Sequence, residues 1–164
     1  MAILSSLQRL LDAKHVRYEV HAHRAAMTAA EVAAADHVPP SEVAKVVVLR
    51  SGERFLLAVL PAVRHLNLER LRALAGDPEL RLAREDEFAG IFPACELGAI
   101  PPIGQLWGLP VWVDDALGRE AETVFSAGNH REAVHVAYRD FVRLAEPMFG
   151  EFSTRAAAGP RPAD

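Results

Sequence analysis

The chain has 164 residues, 51% hydrophobic and 24% charged, with a formal net charge of −4. That length and apolar content fit one globular domain and exclude a disordered chain. No apolar run reaches the roughly 18–20 residues of a membrane helix, and the acidic balance excludes extensive wrapping of a nucleic acid, though not local contact.

Leu4, Leu7, Leu10 and Leu11 carry the spacing of a helix packed on one face. The opening MAILSSLQRLLDAKH lacks a long apolar core, so no signal peptide is expected. Val16 to Val20 alternates and predicts a strand. Thr28-Ala29-Ala30-Glu31 is a capping box opening a helix over about Ala29 to Ala35. Ser41 follows Pro39-Pro40 and caps a short turn before Lys45. Val46–Leu49 and Phe55–Leu60 flank Ser51-Gly52-Glu53, which predicts a hairpin. Asn67 caps a helix to about Leu74 that Gly76 ends, and Arg84–Phe88 predicts another. Residues 96–110 hold three Gly and three Pro and predict a fixed loop. Val111–Val113, Thr123–Ser126 and Val134–Tyr138 predict strands, and Arg139–Ala145 the last helix. Short strands among short helices imply an α/β or α+β domain with a mixed sheet. The domain is expected over residues 1–149, with a flexible tail over 150–164.

All but two of the 18 cationic side chains are arginine. Lys14 follows an amphipathic stretch and reads as surface. Lys45 directly precedes Val46-Val47-Val48-Leu49, where a solvated lysine is not expected. It reads either as a compact donor to a substrate oxygen or as an edge lysine whose stem covers apolar surface. His21 and His23 share one face of a strand, but spacing signals no third ligand, so no metal is expected. Cys95 reads as a small buried thiol, and no serine sits in a G-x-S-x-G elbow. Gly98, Gly104 and Gly108, stiffened by Pro101-Pro102, make either a structural crossover or a set of fixed backbone donors for an oxyanion. Ser126-Ala127-Gly128-Asn129 is a second small-residue turn, expected to wall the same pocket from the opposite side. Arg50, Arg54, Arg64, Arg70 and Arg72 read either as a local basic patch or as ordinary solvated charges.

Five stretches taken in order resemble the YbaK/prolyl-tRNA-synthetase-associated family of aminoacyl-tRNA deacylases. They are Thr28-Ala29-Ala30-Glu31-Val32-Ala33, Ala44-Lys45-Val46-Val47-Val48, Gly98-Ala99-Ile100-Pro101-Pro102-Ile103-Gly104, Pro110-Val111-Trp112-Val113-Asp114 and Val124-Phe125-Ser126-Ala127-Gly128. The resemblance implies a single α/β domain with a mixed, partly barrel-like sheet and surrounding short helices. It implies hydrolysis, in trans, of the ester joining a wrong amino acid to a tRNA, with Lys45 the residue most tied to activity. Gly98, Ala99, Ile100, Pro101, Pro102 and Gly104 would shape the substrate pocket. Ser126, Ala127 and Gly128 would size it, and His23 and Thr28 would lie beside it. The implied partners are a mischarged tRNA acceptor end and, transiently, an aminoacyl-tRNA synthetase. No cofactor, membrane or DNA is implied; a cytoplasmic location is expected from the missing signal segment and the single cysteine. The Ser126–Gly128 turn departs from the His-Pro-Leu-like turn of alanine-specific members, which leaves the amino acid open. The competing reading is a non-catalytic module that binds a free amino acid or an aminoacyl-nucleotide-like ligand in the same pocket.

Overall fold

A computed structural model describes residues 4–155. Helix α1 (Ser5–Ala13) buries Leu7 and Leu11, the i, i+4 pair on its apolar face. The chain then turns at His15, and Val16 is already buried with its amide on the Leu11 carbonyl, so strand β1 begins later than expected, at Tyr18–Ala22. Helix α2 (Ala29–Asp36) is capped by Thr28, whose hydroxyl oxygen accepts the Glu31 amide. A 3₁₀ turn over Pro40–Glu42 leads into the hairpin of β2 (Ala44–Ser51) and β3 (Arg54–Pro61). After β4 (Arg64–Leu66), helix α3 (Leu68–Ala75) starts on the Asn67 side chain and stops at left-handed Gly76. Strand β5 (Arg81–Leu82) and helix α4 (Glu85–Phe88) precede the Gly/Pro loop. Then come β6 (Val111–Asp114), β7 (Glu122–Ser126), β8 (Glu132–Ala137), helix α5 (Tyr138–Ala145), β9 (Met148–Gly150) and β10 (Ser153–Arg155).

The larger sheet runs β5-β2-β3-β6-β9, antiparallel on the β2 side and parallel from β3 through β9. A second sheet, β1-β8-β7, is antiparallel throughout. One parallel bridge between Val43 and Val124 joins them, so the sheets curl toward each other without closing a barrel. The mixed α/β architecture expected from the sequence is the one observed. The main core lies between the sheets, where Val48, Val59, Ile103, Val113, Phe125 and Phe141 pack together.

The chain beyond Gly150 differs from the expected tail. β10 pairs with β4, and Phe152 is fully buried against Leu49, Ala58, Leu71 and Leu80. A strand of three residues carries too little alternation to be read locally. The rest of that expected tail, 156–164, lies outside the described residues.

Candidate active site

A cleft of about 400 Å³ opens beside the first half of β2. Met27, Thr28 and Ala29 form one side, Leu82, Ala83, Glu85 and Phe88 another, and Gly98, Ile100 and Ser126 complete it. β5 pairs only Leu49 and Arg50 of β2, and the Val43–Val124 bridge lies at the other end, so residues 45–47 remain an open sheet edge there. The Ala62 amide donates to the Val43 carbonyl at 2.9 Å, in register with the β2–β3 pairing. Antiparallel alternation then turns the peptide groups of Lys45 and Val47 toward β3 and those of Val46 toward the open edge. The same alternation sends the Ala83 amide to the Val48 carbonyl at 3.0 Å. Val46 thus offers a main-chain donor and acceptor beside the cleft, which residue type alone does not signal.

Lys45 lines the cleft, and its ammonium donates to the Arg64 carbonyl at 2.6 Å. Period-two alternation sets Lys45 on the face of Val47 and Leu49, away from Ala44, Val46 and Val48, which pack with Ile100. Lys45 thus borders the cleft that Gly98 and Ile100 also line, but its side chain leaves β2 on the opposite face from Val46 and Val48, and its nitrogen is anchored on β4 and not on the Gly/Pro loop. Arg64 is itself held: Nε donates to the Ser153 hydroxyl at 2.6 Å, and Nη2 to the Ser153 carbonyl at 3.1 Å. The Ser153 hydroxyl donates to Asp114 Oδ2 at 2.7 Å, and buried Asp114 also accepts the amides of Ala116 and Phe152. A continuous chain of bonds runs from Asp114 through Ser153 and Arg64 to Lys45.

All but one of the expected substrate-binding residues divide into two groups. Thr28, Gly98, Ile100 and Ser126 line the cleft with Lys45. Ala99, Pro101, Pro102, Gly104, Ala127 and Gly128 are buried behind it. Gly104 serves close packing, because a Cβ there would lie 2.2 Å from the Leu109 carbonyl oxygen and 2.6 Å from Val111 Cγ2. The Ala99 amide is taken by the Glu96 carbonyl at 3.0 Å, whereas the amides of Gly98 and Ile100 donate to no protein acceptor among the described residues. The Gly/Pro loop and the 126–128 turn, expected on opposite sides, are joined into one wall by Glu96 N to Gly128 O at 2.9 Å and Gly128 N to Ala99 O at 3.0 Å. His23 lies off the cleft, with Nδ1 on the Arg24 carbonyl at 2.6 Å and its amide on the Arg131 carbonyl at 2.8 Å.

Electrostatics narrows the candidates further. Burial pushes the Cys95 thiol up to about 11, so it stays protonated at neutral pH and is a poor nucleophile. Of the five arginines considered for a basic patch, three are engaged internally: Arg50 on Glu87 at 2.7 Å, Arg64 on Ser153, and Arg72 on the Leu80 carbonyl at 2.7 Å. Glu87 also takes a two-pronged contact from Arg81, at 2.9 and 2.7 Å, and the Arg84 amide at 2.9 Å. These contacts hold its carboxyl well below the usual carboxylate range, the Arg81 bonds most of all. They also tie β2, β5 and α4 into the cleft side that carries Glu85. That exposed acid was missed in the sequence because it reads as ordinary first-turn helix charge.

Comparison with known proteins decides the family. The sequence model of the aminoacyl-tRNA editing domain matches residues 23–144. The chain belongs to that family. Over 77 residues this editing domain is 32% identical to a proline–tRNA ligase of Thermosipho africanus, a match spanning 47% of this chain and 14% of the ligase. A solved structure described as a candidate trans-editing enzyme for prolyl tRNA synthetase superposes with a TM-score of 0.80 at 22% identity, covering 93% of this chain and 99% of that one. Another, described as a hypothetical protein, gives 0.82 at 22% identity over 92% of this chain and all of the other. At such identities these structures share the fold. Among the described residues, no helix is long and apolar enough to cross a membrane.

Proposed function

We propose that this editing domain is a trans-acting aminoacyl-tRNA deacylase that hydrolyses the ester linking a non-cognate amino acid to the tRNA 3′ end. The observation that carries the reading is a lysine of the family-like Ala44–Val48 stretch, held by a backbone carbonyl at the edge of a cleft of about 400 Å³. The match of the editing-domain family over residues 23–144 supports the same reading.

An aminoacyl ester is already activated, so the site needs to orient and stabilise more than to activate. Water adds to the ester carbonyl carbon, and the carbonyl oxygen takes the negative charge. The tetrahedral species then expels the ribose oxygen, which takes up a proton as the free amino acid departs. The amides of Gly98 and Ile100 are candidate donors to the oxyanion, each worth about 2.7–4 kcal/mol in sites of this kind. The Lys45 ammonium is a compact donor for the carbonyl, ribose or phosphate oxygen, which would share or replace the Arg64 carbonyl as its partner. Glu85 supplies a carboxylate for the substrate α-ammonium. Exposed peptide groups of Val46 can pair with the aminoacyl backbone, as a sheet edge pairs with an added strand. Pocket size then selects among small side chains, at about 1–3 kcal/mol per methylene.

The net charge of −4 and the engaged arginines suit brief contact with an acceptor end, in the cytoplasm where charged tRNA is made. The partial match to a proline–tRNA ligase supports transient association with a synthetase. The test is a panel of mischarged tRNAs incubated with wild type and Lys45→Ala. Release of one or a few amino acids by wild type, lost in the variant, is expected. Binding without hydrolysis by wild type would replace this reading with an amino-acid or nucleotide sensor.

A further inference from the structure

Away from the cleft, two histidines and a buried carboxylate converge. In the β1–β8 pairing Glu19 stands opposite His135, and His21 opposite Ala133, so Glu19, His21 and His135 share one face. The rings of His21 and His135 lie 3.8 Å apart. Asp36, the last residue of α2, sits over them with its side chain only 5% exposed. Its Oδ1 is 3.2 Å from His21 Nδ1, and its Oδ2 bonds His135 Nε2. One ligand atom from each residue lies within 4.8 Å of the others.

We propose that His21, Asp36 and His135 form a binding site for a divalent transition-metal ion of the Zn²⁺ class. Zn²⁺ bonds of about 2.0–2.1 Å imply ligand-to-ligand edges of about 3.3–3.4 Å in a tetrahedron. The His21–Asp36 separation of 3.2 Å is already close to that edge, and the contact with His135 opens to admit the ion. A mixed nitrogen and oxygen set selects such an ion over Ca²⁺ or Mg²⁺, which take oxygen ligands. Glu19 adds an independent indication. Its Oε1 lies 2.9 Å from His21 Nε2, and with the ring proton on that nitrogen Nδ1 would present its lone pair to an ion held by Asp36. A carboxylate behind a histidine ligand is the usual second partner at zinc sites. Three protein ligands leave a fourth position for water.

His23, the neighbour that sequence spacing paired with His21, does not join. It lies past the end of β1 with Nδ1 on the Arg24 carbonyl. The ion would have a mechanical role. α2 carries Ala29 of the cleft at one end and Asp36 at the other, so metal at Asp36 clamps that wall to the sheet that carries Ser126.

Chelator-treated, tag-free protein titrated with Zn²⁺ by calorimetry, and with Co²⁺ by visible absorption, tests the proposal. One equivalent should bind, with a tetrahedral Co²⁺ spectrum and a rise of several degrees in the midpoint of thermal unfolding. His135→Ala and Asp36→Asn should each weaken Zn²⁺ binding a hundredfold or more. Glu19→Gln, at an exposed position that the fold tolerates, should weaken it about 10–100-fold, and His23→Ala should leave it unchanged. Absence of stoichiometric binding overturns the site, as does wild-type affinity in both His135→Ala and Glu19→Gln. The three residues would then be a hydrogen-bonded cluster only.

Discussion

The amide of Gly128 donates to the carbonyl of Ala99 at 3.0 Å, so the turn after β7 and the Gly/Pro loop are one rigid wall of the cleft. Gly128 makes this contact at a φ of +101°, and a Cβ there would come within 3.2 Å of Leu4 Cβ. Gly128→Ala should therefore cost about 1–3 kcal/mol of stability through backbone strain. A lower denaturant midpoint with unchanged slope in urea unfolding is the expected readout.

Lys45→Ala should slow deacylation on the order of a hundredfold, the scale of one lost transition-state donor. Lys45→Arg should not restore it. A planar guanidinium at the carbonyl of Arg64 needs a wider, forked partner than that single oxygen. Single-turnover rates on a mischarged tRNA check both, and a wild-type rate in Lys45→Arg removes the lysine from the mechanism.

Ser153 is a positioning residue, since it reaches Lys45 only through Arg64. Ser153→Ala should lower kcat about three- to tenfold by loosening that carbonyl, with little change in KM. The discriminating measurement is a double-mutant cycle. In a Lys45→Ala background, Ser153→Ala should cost nothing further in rate, whereas a purely structural role would slow both backgrounds alike.

Acid stability should report Glu87. Its folded carboxyl titrates below the ordinary range because Arg81 and the Arg84 amide bond the ionised form. A depressed folded value stabilises above the unfolded pKa of about 4.3 and loses that contribution as pH falls below it. Thermal midpoints of wild type and Glu87→Gln, measured from pH 7 down to pH 3, should differ most near neutrality and draw closer, without meeting, below about pH 4.

Cys95 should be dispensable for catalysis. With its thiol pushed up to about 11, thiolate is scarce at pH 7. Cys95→Ala should deacylate at the wild-type rate, and iodoacetamide should label the wild-type thiol slowly. Rapid labelling with loss of activity would contradict this.

Elements stated by neighbouring residues were legible in the sequence. The Thr28 cap, the β2–β3 hairpin around Gly52, and helix α3 between Asn67 and Gly76 each rest on hydrogen bonds or turns within four residues. Lys45 stood out for a similarly local reason, a cation set against an apolar run.

The groups that now surround Lys45 were not legible. Arg64 and Ser153 meet across 89 positions of sequence, in strands of three residues each. Nothing in their composition announces the pairing. His21 found its partners in the same way: the neighbour two residues away turned aside, while His135 and Asp36 arrived from another strand and a helix end. The sequence by itself determined which segments become helix or strand and which lysine is out of place, because those depend on spacing along the chain. Only the tertiary structure decided what that lysine is bonded to and which side chains converge, because those follow from how separate segments pack.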